Sequence, residues 1–191
     1  MKVLDDLSPE LRDEYNSNYE QAFEILKQYA FLQDSGKRSI GFIGMKKLRE
    51  AVQLLSRCLE IWRGSWNAMW GLGKAHQASG NHLTALGWFE RALVIQAEHP
   101  DIYREATIES LRLGKTDKAL TYARKACELM PEDAGLQANL ALSLLLDKQG
   151  ETALVVIKEA CLRAPNDPVN KHVLAFIEDV VTGKRHYPDK I

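Results

Sequence analysis

An apolar and polar pattern of helical period runs through much of this chain, and its marks recur at a fixed interval. An alanine followed by an apolar residue stands at Ala51-Val52, Ala85-Leu86, Ala119-Leu120 and Ala153-Leu154, each pair 34 residues after the last. Four residues on comes Leu55, Phe89, Ala123 or Ile157, and three beyond that a small residue, Cys58, Ala92, Ala126 or Ala160. Spacing of i, i+4 and i+7 marks one face of an α-helix, so each copy predicts a helix that buries this stripe. No stretch alternates with the period of a β-strand.

Turn signals divide each interval and predict a second helix before each of these. Gly80 and Gly114 break the chain in mid-copy, and Gly150 does so two residues late in the last copy. Helix starts are marked by Ser65 before Trp66, by Pro100, by Asp133 after Pro131, and by Asp167 before Pro168. Each unit is therefore expected to be helix, tight turn, helix. Small residues in the stripe let helix axes approach to about 8–10 Å, and large neighbours such as Phe89, Leu93 and Leu120 fill the space beside them.

The chain ends need different treatment, because a terminal unit has an uncovered face. "PVNKHVLAFIEDVVTGK" predicts an extra amphipathic helix with Val173, Leu174, Ile177 and Val181 inward and Gly183 as its stop. At the other end, Ser8-Pro9 opens a long helix or broken helix pair. Its Tyr19, Ala22, Phe23 and Leu26 read as the first helix of a divergent unit whose partner begins near Met45. Between them lies the insertion "DSGKRSIGFIG".

These residues resemble the tetratricopeptide repeat family, whose unit is a 34-residue helix-turn-helix. Residues 66–99 carry Leu72-Gly73, Gly80, Ala85, Phe89 and Ala92 in the family's order; 100–133 keep Tyr103, Gly114, Ala119, Ala126 and Pro131; 134–167 keep Leu140, Ala153, Ala160 and Pro165. His76 and Ser110 stand where the family usually has an aromatic, and Ala97 where a repeat usually ends in proline. The resemblance implies an all-α fold, a right-handed α-solenoid of stacked repeats. In that scheme 8–65 hold the N-terminal helix and a divergent first repeat with an inserted loop at 34–44, and 168–183 form a C-terminal capping helix. One folded domain is expected overall.

Composition narrows the function classes. The chain has 191 residues, 46% hydrophobic and 27% charged, which is ordinary globular usage. A formal net charge of -1 supplies no general attraction for phosphate backbones, so no nucleic-acid partner is expected. "MKVLDDLSPELRDEY" has acids where a signal peptide needs positive charge, and no run of about 18 apolar residues occurs, so no membrane partner is expected and the location is read as cytoplasmic. Cys58, Cys127 and Cys161 lack CxxC spacing and fall in apolar helical patterns, as core thiols do. His76, His82, His99, His172 and His186 include no HxxxH or HExxH spacing. A Cys58–His76 pair between adjacent units would still lack an oxyanion site. The sequence therefore points to no enzyme, no metal and no cofactor.

The resemblance implies that first helices line a concave groove. By the family's geometry the inward residues would be Asn67, Trp70, Lys74 and Gln77, then Arg104, Ile108 and Arg112, then Ala138 and Leu142. Such a groove, with an aromatic, three cations and an apolar end, suits an extended or helical peptide of acidic character. Family members that grip the acidic tail of large chaperones place Lys, Asn and Arg in set positions. Neither possible register reproduces them, since the second and third helices offer Trp70 and Gly71 with Asp101 and Glu105, or Arg104 and Glu105 with Gly135 and Asn139. The expected function is a non-catalytic module that binds another protein, as monomer or homodimer. The alternative is a dimeric export or assembly chaperone that keeps a partner soluble. In the insertion, Lys37 and Arg38 precede Ile40, Phe42 and Ile43; the apolar tip is expected to tuck into the open end of the groove near Trp70, or else to serve as a second contact loop.

Overall fold

The computed structural model describes residues 4–30 and 40–191. Among them lie nine α-helices and no strand: α1 Pro9–Tyr29, α2 Phe42–Ile61, α3 Trp66–Ala78, α4 His82–Ile95, α5 Pro100–Arg112, α6 Thr116–Leu129, α7 Ala134–Leu146, α8 Gly150–Arg163 and α9 Pro168–Val181. Starts of α3, α5, α7 and α9 are 34 residues apart, as are those of α4, α6 and α8. The fold is all-α and made of helical hairpin repeats. The chain divides into two compact units, Met1–Ala97 and Glu98–Ile191, a boundary that the expectation of one domain did not draw.

The recurring stripe is the core of both units. Ala51, Ala85 and Ala153 are fully buried, as is Ala119, and so are Phe89, Ile157, Cys58, Ala92 and Ala160. In the first unit α1 packs on α2 and α3, α2 on α3, and α3 on α4. Closeness there depends on two glycines of α3. A Cβ on Gly71 would lie 3.0 Å from Leu55 and 3.4 Å from Leu26, and one on Gly73 would enter the ring of Phe89. In the second unit α5 packs on α6 and α7, α7 on α8 and α9, with Ala138, Ala141, Leu145, Ile157 and Ile177 in one cluster.

Caps appear where the sequence marks them. Ser65 accepts from the Ala68 amide at 3.1 Å, Asp133 from Leu136 at 2.9 Å, and Asp167 from Val169 at 2.7 Å. Ser65 is buried and also shares a 2.6 Å hydrogen bond with the Tyr15 hydroxyl, which ties α1 to the start of α3. Burial pushes the Tyr15 phenol up to about 12.

Hairpin turns share one geometry. The amide of Asn81 donates to His76 at 2.9 Å, that of Lys115 to Ser110 at 2.8 Å, and that of Gln149 to Leu144 at 2.9 Å, the six-to-one bond of a helix ended in the left-handed region. Gly80 and Gly114 occupy that region at φ 76° and 64°. In the third hairpin the residue is Lys148 at φ 59°, and Gly150 is the buried first residue of α8, not the turn residue. The 34-residue spacing puts residue 148, rather than 150, at the left-handed position.

Two ends depart from the sequence expectation. α2 begins at Phe42, three residues before Met45 and inside the expected loop at 34–44, with Gly44 in its first turn close against Ile40 and Tyr29. After α9, the chain folds back along the second unit: the Tyr187 hydroxyl meets Gly150, the Asp189 carbonyl lies against Gly114, and the Ile191 amide donates to Leu111 at 3.1 Å.

Candidate functional site

The stripe on α3 places Asn67, Trp70 and Gln77 half-buried, whereas Lys74 is only 3% exposed. Lys74 is therefore not a cation held out to a ligand. Leu26 of α1 lies against Gly71, the residue after Trp70, and Phe23 stands one turn earlier on α1. Phe23, read from the sequence as part of the first helix of a divergent repeat, belongs to an aromatic ladder. Tyr15 and Tyr19 stack at 6.1 Å, Tyr19 and Phe23 at 5.9 Å, and Lys27 sits 5.2 Å over Phe23. The signal was legible as aromatics at i, i+4 and i+8 of one helix.

In the second unit Ile108 and Leu142 are half-buried, Ala138 is buried, and the two arginines are engaged. Arg104 donates to Asp101 and to Asp133, both at 2.7 Å. Its second partner is the cap of α7, so Arg104 joins α5 to the start of α7. Arg112 pairs at 2.7 Å with Glu109, whose side chain is fully buried. The groove expected to present a row of available cations thus has them paired or buried. Beside these paired arginines, the expected groove positions left half-exposed are Asn67, Trp70, Gln77, Ile108 and Leu142.

Only the end of the insertion is described. Lys37 and Arg38 lie outside the described residues. Phe42 is 81% exposed and Ile43 71% exposed, so neither is tucked against Trp70, while Ile40 is half-buried against the core of the first unit.

Among the described residues no three of His, Cys, Asp or Glu converge to hold a metal ion. The Cys58 thiol donates to the Tyr15 carbonyl at 3.6 Å, and burial pushes it up to about 11, away from the range of a nucleophile. His76 is lowered by burial. No helix among the described residues is long and apolar enough to cross a membrane.

No protein-family model and no curated protein matches the chain. Solved structures do. MamA from Desulfovibrio magneticus RS-1 superposes with a TM-score of 0.74 at 16% identity, over 89% of this chain and 86% of that one. YrrB, described as a TPR protein with an unusual peptide-binding site, superposes with a TM-score of 0.65 at 18% identity, over 93% and 86%. The chain has the tetratricopeptide-repeat fold. PilF of Pseudomonas aeruginosa gives a TM-score of 0.69 at 15% identity, over 91% of this chain and 71% of that one. Within the tetratricopeptide-repeat fold, the positions named above on α3, α5 and α7 all belong to first helices of hairpins.

Proposed function

We propose that this chain is a non-catalytic interaction module that takes a peptide or helix of a partner protein on the first helices of its hairpins. Trp70 carries the reading: a half-buried aromatic flanked on α3 by the amide side chains Asn67 and Gln77, next to a helix that bears an aromatic ladder. Such anchors dominate protein recognition because they desolvate a large rigid area at low entropic cost. In the second unit the corresponding face offers Ile108 and Leu142. Because Arg104 and Arg112 are held by carboxylates of their own chain, the fitting partner is anchored by apolar side chains and not by acidic ones. The fold of YrrB, a protein described as having a peptide-binding site, supports the class.

The test compares capture of partners by wild type, Trp70→Ala and Ile108→Ser, each checked for an unchanged melting temperature. Loss of one partner from the folded Trp70→Ala variant is expected. Undiminished capture by both folded variants would refute the assignment to the first helices.

A further inference from the structure

A cleft on the other helices of the first unit is not used by that reading. It lies between α2 and α4, has a volume of about 400 Å³, and is lined by Ser56, Leu59, Glu60, Arg63, Trp88 and Arg91. That volume falls within the about 300–1,000 Å³ usual for ligand sites. Its apolar part is firm, since Leu59 and Trp88 both pack against the core that includes Leu55 and Cys58. Its polar part is cationic. The Arg91 guanidinium lies 4.1 Å over the Trp88 ring, a cation–π contact that uses none of its N–H donors. Among the described residues neither Arg63 nor Arg91 has a carboxylate within 4.0 Å. Glu60 also lines the cleft and is drawn to Arg57 at 3.0 Å, which pairs with Glu14 at 2.7 Å as well, so the lining sets two arginines against one carboxylate and stays cationic. A cationic rim beside an apolar floor complements a group that is anionic and apolar at once.

We propose that this cleft is a second peptide site, taking an internal acidic and apolar residue pair of a partner chain, with the carboxylate on Arg63 and Arg91 and its neighbour on Leu59 and Trp88. An arginine edge donates two parallel hydrogen bonds to a carboxylate, and the Ser56 hydroxyl adds a third donor. The cleft holds roughly two side chains, so the recognised unit is a dipeptide within a longer segment. It differs from the first-helix faces both in position and in selecting for charge.

Three capped probes isolate the terms: Ac-Glu-Leu-NH2, Ac-Gln-Leu-NH2, and Ac-Gln-Leu with a free terminal carboxylate. Titration followed by the Trp88 indole and Ser56 amide NMR signals is expected to saturate with the Glu probe. Affinity should fall at least tenfold with the Gln amide, with 0.5 M salt, and in Arg91→Gln. Arg63→Gln supplies the same test should Arg91→Gln not fold. Equal shifts from the Glu and Gln amides, absence of a saturable shift at Trp88, or tighter binding of the free-carboxylate probe than of the Glu probe would each overturn the proposal.

Discussion

Gly73 and Gly87 are both helix-interior glycines of one hairpin, yet they should respond oppositely to alanine. Replacing an interior helical glycine by alanine gains about 1 kcal/mol from the backbone alone. At Gly87 a Cβ meets nothing within 4 Å, so Gly87→Ala should realise that gain. At Gly73 the same Cβ would sit inside the contact distance of three ring carbons of Phe89, a fully buried side chain. Overpacking of a closed core costs about 1–3 kcal/mol, and a rigid aromatic held on all sides puts this case near the upper end. Gly73→Ala should therefore be destabilising by about 2 kcal/mol net, and the two variants should differ by about 3 kcal/mol, which is the clash isolated from propensity. At about 2–4 °C per kcal/mol for a chain of this size, that is a separation of roughly 6–12 °C in melting temperature. Adding Phe89→Leu to Gly73→Ala should recover part of the loss, giving a coupling of at least about 1 kcal/mol in a double-mutant cycle. If the two alanine variants moved the melting point by the same amount and sign, close approach of α3 and α4 at Gly73 would not be what requires a glycine there.

Three further outcomes follow from the geometry. Lys148→Gly should raise stability by about 0.5–1 kcal/mol in chemical denaturation, since a left-handed residue with a Cβ costs about 1–2 kcal/mol and part of the gain is lost to unfolded-chain entropy. Arg104→Ala should lower stability by about 1–2 kcal/mol, and Asp133→Ala on top of it should cost less than when made alone, because the two share a bond; a melting point unchanged in Arg104→Ala would show the ion pair to be idle. Asn170 is 1% exposed with neither side-chain amide atom hydrogen-bonded among the described residues, at the register where other hairpins carry Ala68, Ile102 and Leu136. Asn170→Leu should stabilise by about 1–3 kcal/mol, read by thermal melts of the whole chain.

The hairpins were legible because the stripe that builds them is a rule of packing repeated four times: only Ala51, Ala85, Ala119 and Ala153 fit where helices touch, so their spacing is the fold. Lys148 was legible in principle, since the period lands on it, but a search for glycine finds Gly150 instead. The candidate site was less legible. Asp101, three residues before Arg104, is a visible helical partner, whereas Asp133 is 29 residues away and meets Arg104 only once α7 starts beside α5. Lys74 carries a charge that periodicity places on a face, and nothing in its identity tells that the face is closed. The segment after Gly183 has no periodicity at all, so its return to Gly114 and Leu111 could not be read.

That return changes how the second unit should come apart. A row of repeats in which each contacts only its neighbours unfolds by fraying from an end, with graded opening energies along the chain. Here the Ile191 amide on the Leu111 carbonyl joins the last described residue to the first helix of the unit, turning an open row into a closed circuit. Opening α9 then also breaks contacts at the turn after α5, so amide hydrogens of α5 and α9 should exchange together instead of in sequence. The closure adds few contacts, yet it couples the two edges of a structure whose repeats would otherwise respond one at a time.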